Sequence, residues 1–192
     1  SIIASSLSVE CFANCLLALL PSRKLSKDID KLPPLSKIDL SLRLKQFLEI
    51  DRGRLEVQQV ADLMKARNDV VHSKRVAIQA SMDLPRDAGN EWMFPITMSG
   101  EHWRGLGIPK QAMFWSKKDS FKTLSVISSF YRYVLVGLMQ ADEEMISKVL
   151  ISRAELGNVL MPGVYDEFRD LLASASRLGV DFSFLGINRS DN

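Results

Sequence analysis

The chain is 192 residues long, 46% hydrophobic and 25% charged, with 25 Lys and Arg against 23 Asp and Glu. That length suits one generous core, the apolar content excludes disorder, and ten Gly with seven Pro exclude a low-complexity polymer. No apolar run approaches the roughly 18 residues of a membrane span, and two cysteines cannot build a disulfide framework, so a globular, cytoplasmic protein off the membrane is expected.

Helical periodicity opens the chain. From about residue 6 to 20, Val9, Phe12, Ala13, Leu16, Leu17 and Leu20 recur at three- and four-residue steps, a buried stripe. Cys11 and Cys15 share one helical face and are expected in the core as small hydrophobes, since only His72 and His102 are left to complete a zinc site. Asn14 and the charged segment after Pro21 argue against a secretory signal. Pro33-Pro34 is placed to open a second helix, with Leu40, Leu44, Phe47 and Leu48 as its stripe. Gly53 marks a turn. A third helix starts near Arg54, with Val57, Val60, Leu63, Met64, Val70 and Val71 facing inward.

Between residues 75 and 115 the pattern breaks at Gly89, Pro95, Gly100, Gly105 and Gly107. The alternating pieces VAIQASM and MFPITM suit a short two-stranded hairpin. An insertion of this length in a helical protein points to a functional or interface loop, and one reading makes Trp92, Phe94, Trp103 and Trp115 a docking surface for a protein partner. Helicity returns at Ser116, where SKKD forms a capping box with Asp119. Phe121, Leu124, Ile127, Tyr131, Val134, Leu135 and Leu138 then make the longest apolar stripe. Asp142, Glu143 and Glu144 suit the positive start of a further helix, and helices are expected across 142–180, the last over 166–178 with Gly179 as its stop. The expectation is one all-α domain over residues 1–192, a helical bundle with an irregular or short β-hairpin insertion at about 75–115.

Motifs of the common enzyme classes are missing. There is no GxxxxGK loop, GxSxG elbow or HExxH pair, and the glycines of GLG at 105–107 lack the third glycine and flanking strand of a dinucleotide site. His102, in GEHWRG, reads as a loop histidine. No metal or other cofactor is expected.

The chemistry concentrates in LMKARNDVVHSKR, residues 63–75. Lys65, Arg67, Lys74 and Arg75 against Asp69 make residues 65–75 locally +3. The first 80 residues hold 13 basic and 9 acidic groups, net +4, while the remainder holds 12 and 14, net −2. A near-neutral chain therefore carries a basic patch around His72. At about 100° per residue, Asn68 and His72 share a helical face whereas Arg67 lies roughly 140° from His72, so its long side chain must reach back or a second copy of the helix must supply the partner. An imidazole can take the proton of a 2′-OH or protonate a departing 5′-oxygen, and a guanidinium fork can stabilise charge on phosphate oxygens. Asn68 could orient either group. Lys65, Lys74 and Arg75 are candidate substrate-binding residues. The plainer reading is that Arg67 and His72 cap carbonyls and offset the dipole at a helix end.

The run R-N-D-V-V-H resembles the R-N-x-x-x-H signature of the HEPN superfamily (higher eukaryotes and prokaryotes nucleotide-binding). ANCLLALL, KIDLSLRLKQFL and LGIPKQAMFWSKKDS are also similar to uncharacterised bacterial members, extending the likeness over residues 5–140. The resemblance implies a HEPN-like α-helical bundle that forms a homodimer, bringing two motifs into one cleft. It implies a metal-independent endoribonuclease with Arg67 and His72 catalytic and Asn68 assisting, or a non-catalytic module that binds nucleotide, RNA or a protein partner. Lys74 stands where some toxin branches carry a tyrosine, which sets this chain apart from them.

Overall fold

The computed structural model describes residues 2–72, 78–87, 89, 92–93, 96–150, 153–156, 159–162 and 166–187, and only the backbone course of Arg23, 153–156, 159–162 and Asp166. The protein is mainly helical. Helix α1 (Ile2–Ala18) is followed by the short α2 (Arg23–Ile29), then α3 (Pro34–Gln46) and α4 (Leu55–Val71). After the hairpins come α5 (Lys117–Arg132), continued by a π-helical segment over Tyr133–Leu138, then α6 (Glu143–Leu150) and α7 (Asp166–Arg177). Among the described residues no helix is long and apolar enough to cross a membrane.

Helix α1 is apolar around most of its circumference, as a helix surrounded by others must be. It contacts α2, α3, α4, α5 and α6. Val9, Phe12, Ala13 and Leu16 are buried in a core shared with Ile38 and Leu42 of α3, Val57, Val60 and Leu63 of α4, and Phe130 and Tyr131 of α5. Phe12 stands edge-on to Phe130 at 6.4 Å and tilts against Tyr131 at 4.5 Å, favourable aromatic geometries. Burial pushes the Tyr131 phenol well above its usual range, and its hydroxyl donates to Ser8 Oγ at 3.0 Å. The capping box at Ser116 and Asp119 forms as expected, and Asp142 Oδ1 accepts from Met145 N at 2.8 Å at the start of α6.

Several expectations are corrected. Cys11 and Cys15 are both exposed, because Phe12, Ala13, Leu16 and Leu17 carry the buried side of α1. The apolar hydrocarbon around Cys15, and then Cys11, push its thiol up. In α3 the main core takes Leu35, Ile38 and Leu42, while Leu44 and Phe47 are exposed and Leu48 is half-buried. Leu40 packs instead against a smaller cluster of Leu17, Leu20 and Ile29. Apolar residues lie on both sides of α3, so periodicity alone does not select the stripe that meets α1. In α4, Ala66 is buried, whereas Val70 is half-buried and Val71 exposed near the free end of the helix.

The insertion divides in two. Strands β1 (Gln79–Met82) and β4 (Ile96–Ser99) pair antiparallel, enclosing β2 (Arg86–Asp87) paired with β3 (Trp92–Met93). Ala80 faces Met98 and Met82 faces Ile96 across one side of the ribbon, while Gln79, Ser81, Thr97 and Ser99 share the other, and all eight are exposed. Residues 101–110 belong to the body instead. His102 bridges Pro109, Trp103 N donates to Ile108 O, and Leu106 and Ile108 are fully buried. Gly107, at φ +65, makes this turn close. A third hairpin, β5 (Arg153–Leu156) with β6 (Val159–Pro162), separates α6 from α7 where only helices are expected from the sequence. The C-terminal segment returns to α5 through Val180, which is fully buried, and Asp181, whose carboxylate meets Arg132 Nη1 at 2.7 Å.

Phe47 ends α3 in the left-handed region at φ 58 with its ring 95% exposed. Its amide donates to Arg43 O and that of Leu48 to Leu42 O, a closure normally made with glycine. Phe47→Gly should gain about 0.5–1 kcal/mol by relieving that conformation, whereas Phe47→Ala should not; equal urea midpoints for the two variants would refute this. Hydrogen bonds from Ser183, and then Arg132, hold the Asp181 carboxyl below its usual range. The depressed folded value places that stabilisation above the unfolded pKa of about 3.9 and removes it as pH falls through the folded value. Both side chains of the Asp181–Arg132 pair are more than half exposed, so Asp181→Asn should cost less than about 1 kcal/mol at pH 7. The deficit should shrink as pH falls below the unfolded value, as read by urea unfolding at pH 7 and at pH 3; a deficit undiminished at pH 3 contradicts the assignment.

Candidate functional site

Helix α4 runs with Val57, Val60, Leu63 and Ala66 against the core, so the residues between them face outward. Its last turn carries the candidate residues. Arg67 is half-buried, and Asn68 and His72 are exposed. His72 leaves helical geometry at φ −108 and ψ 59, and its amide still donates to Asn68 O at 2.9 Å. The imidazole therefore stands at the free end of the helix, about 40° around the axis from Asn68.

Arg67 Nη1 donates to Asn68 Oδ1 at 3.0 Å, a contact between chain neighbours on the exposed side of the helix. Both Arg67 and Asn68 line an open groove of about 490 Å³ between α4 and the α2–α3 connector, and His72 lies beyond its lining. Lys65 turns elsewhere and pairs with Asp62 at 3.2 Å. Lys74 and Arg75 lie outside the described residues.

The groove contains groups that the motif does not announce. Lys31, Leu32, Pro33 and Pro34 form one wall, and Arg52 enters from the α3–α4 connector. Below it Lys37, with its side chain 3% exposed, binds Asp30 Oδ1 at 2.9 Å and Asn14 Oδ1 at 3.0 Å, with Glu10 Oε1 at 3.9 Å. A buried ammonium is tolerated only with such partners. The excess of positive charge over residues 1–80 is the signal that could have directed attention to Lys31 and Arg52; nothing in the periodicity marks Lys37 as buried.

The remaining candidates separate from this site. His102 is exposed and lines a second cavity of about 520 Å³ with Asp62, Glu101, Trp103, Arg104 and Lys110. Glu101 contacts Lys110 at 2.5 Å, and that contact holds its carboxyl below the usual range. In the GLG turn, Gly105 N donates to Asp62 Oδ2 at 3.2 Å and Gly105 O accepts from Gln59 Nε2 at 3.1 Å, so these groups anchor the loop to α4. The three described tryptophans of the insertion differ in setting. Trp92 is 66% exposed on the hairpin, Trp103 and Trp115 pack half-buried against the core, and Phe94 lies outside the described residues. Among the described residues no group of three or more His, Cys, Asp or Glu could hold a metal ion.

No family model matches the chain, and searches of curated proteins and of solved structures likewise find no match.

The Lys37 network yields a stability test. Asn14→Leu removes a neutral acceptor from a buried ammonium and should cost about 1–3 kcal/mol. Lys37→Met removes the charge itself, leaves Asp30 and Glu10 to water, and should stay within about 1 kcal/mol of the parent. Chemical denaturation of the two variants checks this, and an equal loss in both would contradict it.

Proposed function

We propose that this chain is a metal-independent endoribonuclease of HEPN type, with the free end of α4 as its catalytic site. One observation carries the reading: the Arg67 guanidinium is held by Asn68, one helical turn before an exposed His72. In this reaction the His72 imidazole takes the proton from a ribose 2′-OH, and the 2′-oxygen attacks the adjacent phosphorus. The P–O5′ bond breaks, an imidazolium returns a proton to the 5′-oxygen, and the products are a 2′,3′-cyclic phosphate and a 5′-OH. Arg67 stabilises the charge that grows on the equatorial oxygens, and Asn68 is a positioning residue for its fork. One histidine cannot be base and acid at once on opposite sides of phosphorus, so a homodimer with two α4 ends in one cleft, supplying two imidazoles, completes the site.

A second reading draws on a specific observation, the position of His72 beyond the lining of the groove. On that reading the chain is a non-catalytic HEPN-like module that binds nucleotide, RNA or a protein partner through Arg67.

The test is cleavage of an end-labelled single-stranded RNA in excess EDTA. His72→Ala should lower kcat by about 10²–10⁴ and Arg67→Ala by about 10²–10³. Thermal melting should be unchanged for His72→Ala, because the side chain is exposed. Cleavage that survives His72→Ala, or purified parent protein that cuts no RNA, defeats the nuclease reading. Binding that Arg67→Ala weakens, without turnover in the parent, supports the second.

A further inference from the structure

The groove beside Arg67 is divided by charge. Glu10 and Asp30 line it, and the buried Lys37 ammonium, shared between them, offsets one of their two negative charges. Lys31, Arg52 and Arg67 supply the remaining charge of the lining. Among the described residues Lys31 and Arg67 have no carboxylate within 4.0 Å, and Arg52 meets Asp39 only at 4.0 Å with its side chain 52% exposed. Three lining cations and Lys37 against two carboxylates leave the groove at net +2, an excess that favours an anion.

Its wall has a different chemistry. Leu32 is 38% exposed, Pro33 is exposed, and Pro33 holds the extended backbone at φ −58 and ψ 148 that leads into α3. Pro34 is half-buried beside it, and Met64 of α4 lies in the lining opposite the connector. Rigid apolar rings and a thioether suit the face of a nucleobase, and cations at the rim suit the phosphates on either side of it. A volume of about 490 Å³ lies within the range of small-ligand pockets and admits one nucleotide, but not a stacked duplex.

We propose that this groove receives one unpaired nucleotide of an RNA strand, its base against Leu32, Pro33 and Pro34 and its flanking phosphates on Arg52 and Lys31, next to the phosphate held by Arg67. The proposal rests on the nuclease reading for the position of the scissile phosphate, and it adds the subsite for a flanking unpaired nucleotide and the residues that hold it. Arg52 and Lys31 are substrate-positioning residues, remote from the proton transfers of His72.

The double variant Lys31→Gln/Arg52→Gln separates this inference from the nuclease reading. In cleavage of a ten-nucleotide single-stranded RNA, KM should rise about 5–10-fold with kcat near that of the parent. The parent should cut the same sequence at least about tenfold more slowly once it is annealed into a duplex. Binding of the labelled single strand to His72→Ala protein, followed by anisotropy, should show a salt slope smaller by about 1.4 when the two cations are also removed, the change expected for two single-strand phosphate contacts. An unchanged KM and slope, or equal cutting of single strand and duplex, overturns the proposal. If the parent cuts no RNA, the nuclease reading fails alone, and binding decides the groove: single-strand affinity that falls about 5–10-fold in the double variant sustains it. Equal affinity in the two proteins, or no RNA binding by the parent, overturns it.

Discussion

The packing of α1 into the middle of the molecule is the constraint on which the rest depends. Val9, Phe12, Ala13 and Leu16 leave water on a helix that α3, α4, α5 and α6 all touch, and Phe12 alone meets two aromatic rings of α5. Burying such side chains yields about 1.5–3 kcal/mol each before the cost of ordering the chain. The central helix thereby sets the rotation of its neighbours. The face of α4 built from Val57, Val60, Leu63 and Ala66 must point inward, which leaves Arg67, Asn68 and His72 along the outer side and the end of that helix.

Polar contacts then adjust what hydrophobic packing has placed. Lys37 joins α1 to α2 and α3 through Asn14, Asp30 and Glu10, so a single ammonium ties three helices together and offsets one of the two negative charges that line the groove. The contact of Arg67 with Asn68 is of the same kind on a smaller scale. It fixes the guanidinium against the side-chain amide of the next residue. The turn formed by residues 101–110 supports the other flank of α4, with Gly105 bound to Asp62 and Gln59 and with Leu106 and Ile108 sunk into the core.

Beyond that turn the hairpin of β1 and β4 follows a different rule. Its alternation of Ala80, Met82, Ile96 and Met98 with Gln79, Ser81, Thr97 and Ser99 is the pattern of a strand with one face against a core, yet both faces are exposed. Trp92 and Met93 lengthen the exposed apolar series on the adjoining β2–β3 pair. Two-stranded ribbons are marginal alone in water, so this hairpin draws little stability from its own pairing.

Local chemistry made much of the fold legible in advance. The stripe of α1, the proline opening of α3, the Ser116 capping box and the acidic start of α6 each depend on residues a few positions apart, and the pairing of Gln79–Met82 with Ile96–Ser99 on short alternating runs. The clustering of Arg67, Asn68 and His72 near one helix end was legible for the same reason. Tertiary structure alone decided which side of α3 meets α1, that Cys11 and Cys15 stay outside, and that residues 101–110 enter the core. It also decided that Lys31 and Arg52, 21 positions apart, share a groove with Arg67 over a buried Lys37. A periodic pattern records which residues of a helix lie on one side, but the partner of that side is set by where distant elements find room to exclude water.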